Sequence, residues 1–208
     1  MDFPGFFDDA PTIALRDPLA AFLGAAAGGA ITYTYTDAVK LAGHSCPTVA
    51  GAYLMVCRGL RHLYGDAVPE RGGVEVHLRD RRDEGTTGVI AAIATLLTGA
   101  APETGFGGIG PRQRFSRRDL LHFSAPIDAL MALRRRDDRR GVLVDLDTSR
   151  VPADPGLAGL FPKLVAGRAD AEEQARFGAL WQGRVAAMLT SHADDPGLIR
   201  IREWKAAA

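Results

Sequence analysis

Cysteine is scarce in this chain. Its 208 residues contain two, Cys46 and Cys57, too few for the disulfide framework that holds a small secreted fold together. If residues 47–64 wind into a helix, the interval between the two rises roughly 16 Å along the axis, beyond a disulfide's reach. Charge of one sign is lacking too. Lys plus Arg and Asp plus Glu number 25 each, for a net charge of zero, so no overall field draws the chain to nucleic acid or to an anionic membrane. Long hydrophobic runs are also missing: the apolar stretch from Leu19 to Ile31 is glycine-rich and falls short of the roughly 20 residues that span a bilayer. The amino end, MDFPGFFDDAPTIALR, has three aspartates before its first arginine, the reverse of a basic secretory leader. These absences point to a soluble, cytoplasmic protein with neither a nucleic-acid nor a membrane partner.

What is present is the balance of an ordinary globular protein, 47% hydrophobic and 24% charged. One domain over residues 1–208 is expected, with an irregular arm over 1–30 that packs through Phe3, Phe6 and Phe7. A helical extension with a final strand should occupy 150–208. Alternating β-branched and aromatic residues at 31–35 suggest a short strand, and Thr36 or Asp37 could cap a short helix that Gly43 ends. Val49, Ala52, Tyr53, Val56, Leu60 and Leu63 recur at helical spacing between Pro47 and Gly65, a good start and a good stop. Val74, Val76 and Leu78 alternate with Glu75 and His77, the mark of a half-buried strand. The run from Val89 to Leu97 is apolar all round and reads as a buried helix ending at Gly99. Residues 115–123 read as a strand or turn. Pro126 reads as the start of a helix running through Leu130 and Leu133 into the solvated, mixed-charge end Arg134–Arg140. Residues 141–147 read as a strand, 157–166 and 170–191 as helices, and 198–204 as a last strand. Irregular alternation of this kind implies an α+β fold, a mixed sheet packed against helices.

The stretch Gly43-His-Ser-Cys-Pro47 carries the chemistry. Imidazole and thiol are both soft metal ligands and a common base–nucleophile pair. At i and i+2 in a turning backbone, His44 and Cys46 can face the same side. Cys46 would also cap the helix opening at Pro47, where free N–H groups favour negative charge on sulfur. Glu84, in the polar turn 83–88, is a candidate additional site residue. His77 and His122 read as ordinary surface or core histidines, since nothing in the sequence pairs either with a second donor. Gly105-Phe-Gly-Gly-Ile-Gly110 spells a dinucleotide fingerprint, but a helix precedes it and Pro111 follows, so the required strand–turn–helix context is missing. It remains a flexible loop able to approach a ligand, with Arg112 and Arg114 as anion partners.

Residues 43–51, Gly-His-Ser-Cys-Pro-Thr-Val-Ala-Gly, resemble the Gly-His-x-Cys-Pro-Gly signature of the FmdE family of formylmethanofuran dehydrogenase subunits. Val74–Leu78 resembles the strand that follows in that family, Ile93–Gly99 the helix ending in Leu-Thr-Gly, and Gly105–Gly108 the Gly-Lys-Gly-Asn loop. The resemblance spans roughly residues 35–125. It implies an α+β domain, often a homodimer, whose His and Cys are associated with a metal. The chain departs from the pattern at Ala42, Thr48, Val89, Ala92, Ala100 and Phe106, and has no cysteine after Cys57, hence no C-terminal zinc finger.

The resulting expectation is a metal-binding protein, with zinc or another transition metal held by His44 and Cys46. Glu84, Gly105 and Gly107 would border the same cleft, which could take a small-molecule ligand. Two rivals stand beside it: a metal-free thiol enzyme with Cys46 as nucleophile and His44 as base, and an accessory subunit whose cleft binds a ligand without chemistry.

Overall fold

The computed structural model describes residues 3–205. Its centre is helix α3 (Pro47–Tyr64), whose ends are set by local chemistry. Cys46 is the N-cap, Pro47 presets the first helical φ, and Gly65 stops the helix with φ 58°. Every residue from Val49 to Cys57 is buried.

Beneath α3 lies a five-stranded sheet in the order β4 (Leu121–His122), β3 (Val74–Leu78), β5 (Met131–Arg135), β6 (Gly141–Leu146), β7 (Ile199–Glu203). β3 and β4 run parallel and the other neighbours antiparallel, so the sheet is mixed. Two glycines let the helix sit close on it: a Cβ at Gly51 would come 2.4 Å from Leu146 Cδ2, and one at Gly59 2.7 Å from Leu133 Cδ1. Helix α4 (Thr87–Thr98) packs on α3 and β3, α2 (Tyr35–Ala42) on α3 and α4, α6 (Ala171–Leu189) on α3, and α5 (Leu157–Val165) on α6. Strand periodicity then sorts the side chains. Val74, Val76, Leu78, Leu133, Val142 and Val144 join the helix-side core. Ala132 and Leu143 turn the other way into a small second cluster with Ala129, Ile127 and Trp204. The architecture is α+β, as the sequence implies.

Two expectations need correction. Residues 126–140 do not form a helix: Met131–Arg135 is β5, which turns back through 136–140 into β6. The spacing of Leu130 and Leu133 mimics a helical repeat, but Met131 and Leu133 are the core pair and Ala132 and Arg134 the opposite face, a period of two. The charged run is therefore a hairpin tip. The segment 1–30 is not irregular throughout either, because β1 (Ile13–Arg16) pairs antiparallel with β2 (Ala30–Tyr33). Its aromatics do pack as expected, with Phe7 edge-on to Tyr35 at 5.0 Å and Tyr35 to Tyr53 at 5.7 Å. α2 is capped two residues early, by Thr34, with Asp37 closing the capping box.

Asp17 ties the amino end to the rest of the molecule. Buried, it caps the short helix α1 (Pro18–Phe22) and takes Arg71 at 2.6 Å and Arg117 at 2.7 Å. Burial would raise its carboxyl, but the two guanidiniums and backbone N–H groups outweigh that and hold it below the usual range.

Candidate metal centre

The His44–Cys46 segment joins α2 to α3 and is anchored by the residue between them. Ser45 Oγ lies 2.9 Å from the Tyr35 hydroxyl, and Ser45 O accepts from Gln182 Nε2 at 3.0 Å. Gln182 Oε1, buried beside it, has no hydrogen-bond partner among the described residues. Cys46 is half-buried and its Sγ accepts from the Val49 N–H at 3.5 Å, the cap role expected. His44 is exposed, with Nδ1 3.0 Å from Ala42 O. A closed structural zinc site takes four donors, and no third His, Cys, Asp or Glu joins these two in a donor cluster among the described residues.

The other candidates make separate contacts. Glu84 is exposed in its turn and accepts from the Arg81 N–H at 3.4 Å. Gly105 serves close packing: a Cβ there would lie 2.7 Å from Ala101 Cβ and 3.0 Å from the Arg117 backbone. At Gly107 the nearest atom would be Arg118 Nη2, at 3.2 Å.

A denser group forms on the face of the sheet away from the helices. Glu75 and His77 project from β3 on that side. Parallel pairing of β3 with β4 sets His122 opposite His77, and their rings stack at 4.6 Å. Trp204, whose backbone N–H donates to Gly141 O at 2.8 Å, meets His77 edge-on at 4.9 Å. Ligand atoms of Glu75, His77 and His122 lie within 4.8 Å of one another. Among the described residues this is the one group of three potential metal donors.

Its charges are arranged by arginines. Glu75 accepts from Arg134 Nε and Nη2 at 3.0 and 2.8 Å and from Arg139 Nη1 at 2.8 Å. Burial pushes its carboxyl up, yet the arginines together overcome that and bring it to about 2. Burial, then His122 and Arg134, push His77 down to about 4, against a smaller opposing pull from Glu75. His77 is therefore neutral at pH 7. Since Glu75 is ionised and can only accept, the 3.4 Å contact between them is a His77 Nε2–H donation. In that tautomer His77 Nδ1 is unprotonated, the pattern by which a carboxylate orients a metal-binding histidine.

Sequence reasoning missed this group. Each histidine follows a core residue, Val76 or Leu121, which places it on the polar face of its strand. Only the parallel pairing of those strands reveals that they meet.

No protein-family model and no curated protein matches the chain. Among solved structures it is similar to a tungsten formylmethanofuran dehydrogenase FmdE-like protein from Syntrophus aciditrophicus. The identity is 16% and the TM-score 0.42, over 84% of this chain and 74% of that one. At that score the likeness assigns no residue a role. No described helix is long and apolar enough to cross a membrane.

Proposed function

We propose that this chain is a metal-binding protein, and that the outer face of its sheet holds the ion. His77 and His122 supply the imidazole donors, and Glu75 orients His77. The observation that carries this reading is the convergence of three potential donors within 4.8 Å. Neutral imidazole suits zinc and its neighbours in the first transition row. Glu75 already serves two arginines, so it acts here by fixing the ring's tautomer rather than as a full ligand. Two imidazoles leave coordination positions open for water or a small ligand.

The His44–Cys46 pair is a second reading, favoured by the half-buried sulfur at the mouth of α3 and the unpartnered Gln182 oxygen beside Ser45. In that reading Cys46 serves either as a metal ligand or as a nucleophile.

Elemental analysis of protein stripped with chelator, reloaded with zinc and desalted separates them. The outer-face reading expects about one equivalent in the wild type and in Cys46→Ala, with loss in His122→Ala. Loss in Cys46→Ala alone moves the ion to the mouth of α3. No metal in the wild type removes both metal readings.

A further inference from the structure

A groove made of two adjoining hollows beside the outer-face cluster is lined by five arginines and three carboxylates. The larger has a volume of about 730 Å³, and its lining sets Arg135, Arg136 and Arg139 beside Glu70, Glu75 and Asp137. A smaller hollow of about 240 Å³ shares Glu70, Gly72 and Arg136 with it and adds Arg71 and Arg117. The ion pairs around both can be followed one by one. Asp17 is shared by Arg71 and Arg117, and Glu75 by Arg134 and Arg139. Among the described residues Arg136 meets only a carbonyl, Gly72 O, at 2.9 Å. Glu70 is matched by Arg16, and Asp137 and Asp138 by Arg135 and Arg140. The pair sharing Asp17 leaves one guanidinium uncompensated and Arg136 adds another, whereas Arg139 is balanced by Glu75 within the groove, which Arg134 does not line.

Several of these arginines are held in place before any ligand arrives. Arg135 lies over the Tyr64 ring at 4.3 Å. Arg71 reaches the last carbonyls of α4, Leu96 O and Leu97 O, at 3.0 and 3.2 Å. Arg117 is buried against Gly72, where φ is 79° and a Cβ would stand 1.8 Å from Arg117 Nη1. Only glycine lets that guanidinium lie under the groove floor.

We infer that this groove binds a small phosphorylated molecule. A surplus of two fixed guanidinium charges calls for a ligand with more than one negative charge. A phosphoryl group supplies up to two, with oxygens spaced for the arginine fork. The larger volume falls within the usual range for a small-molecule site. The inference does not depend on a metal, since the arginines are present without one.

The test is calorimetric titration of chelator-treated protein with inorganic pyrophosphate at physiological salt. Arg136→Ala and Arg139→Ala are each compared with Arg168→Ala, a control that removes an exposed arginine between α5 and α6. Saturable binding by the wild type is expected, weakened about tenfold or more by either groove substitution and unchanged by the control. Circular dichroism melting of each variant confirms that it is folded. No heat of binding up to about 1 mM pyrophosphate, or equal weakening by the control, overturns the inference. Citrate binding as tightly as pyrophosphate overturns the phosphoryl assignment.

Discussion

The mouth of α3 and the outer face of the sheet each bring a histidine to a second polar group, by opposite routes. His44 and Cys46 are neighbours in the chain, held by one turn between two helices. His77 and His122 are neighbours only because two strands pair in parallel. At the first place the partners of His44 and Cys46 are local, the Ala42 carbonyl and the Val49 N–H, and only Ser45 between them is tied to a distant element, through Gln182 of α6. At the second, Glu75, two arginines and Trp204 enclose the rings from three parts of the chain. Sequence adjacency yields a pair with spare exposure. Tertiary pairing yields a half-buried cluster in which Glu75 is held ionised and His77 neutral, and that is the better scaffold for a ligand.

Breaking each place in turn sharpens the contrast. Glu75→Ala removes the partner of two arginines, one of them mostly buried, and should cost about 3 kcal/mol in chemical denaturation. Cys46→Ala loses a weak sulfur cap and should cost about 1 kcal/mol or less. Comparable costs would mean that the outer face is no more interlocked than the turn.

Acid should act on the outer face in two windows. His77 titrates at about 4 in the folded chain against an ordinary 6.5. The unfolded state therefore takes up its proton first, and stability falls as pH drops from 6.5 towards 4. Glu75 falls to about 2 from an ordinary 4.5, so its contribution is present above 4.5 and fades as pH drops towards 2. Urea midpoints measured across pH 7 to 4 should decline in the wild type and flatten in His77→Gln. Equal slopes in the two would place the acid sensitivity elsewhere.

The smallest effect separates the two thiols. Cys57 is buried, and burial pushes its thiol up to about 12, whereas Cys46 is only half-buried. Mass spectrometry after brief alkylation at pH 7.5 should show one label in the folded protein and two in denaturant, with the first on Cys46. Labelling of Cys57 in the folded protein would show that α3 opens.

Local chemistry made much of the fold legible. Pro47 and Gly65 bound α3, strict alternation defines β3, and Gly99 ends α4, all within a residue or two of expectation. The hairpin at 131–146 was hidden because Leu130 and Leu133 also fit a helical period and the charges after them suit a helix end. Met131 and the glycine at 141 were the opposing cues. Cys46 as a cap was readable from Pro47 alone. The His77–His122 stack was not, because nothing in either strand specifies its neighbour. Register across a sheet is set by the whole core.

The most direct test of the metal reading is the zinc content of reloaded wild type, His122→Ala and Cys46→Ala, measured side by side. About one equivalent, none and about one equivalent are expected, in that order. Zinc retained in His122→Ala and lost in Cys46→Ala would contradict an ion on the outer face of the sheet.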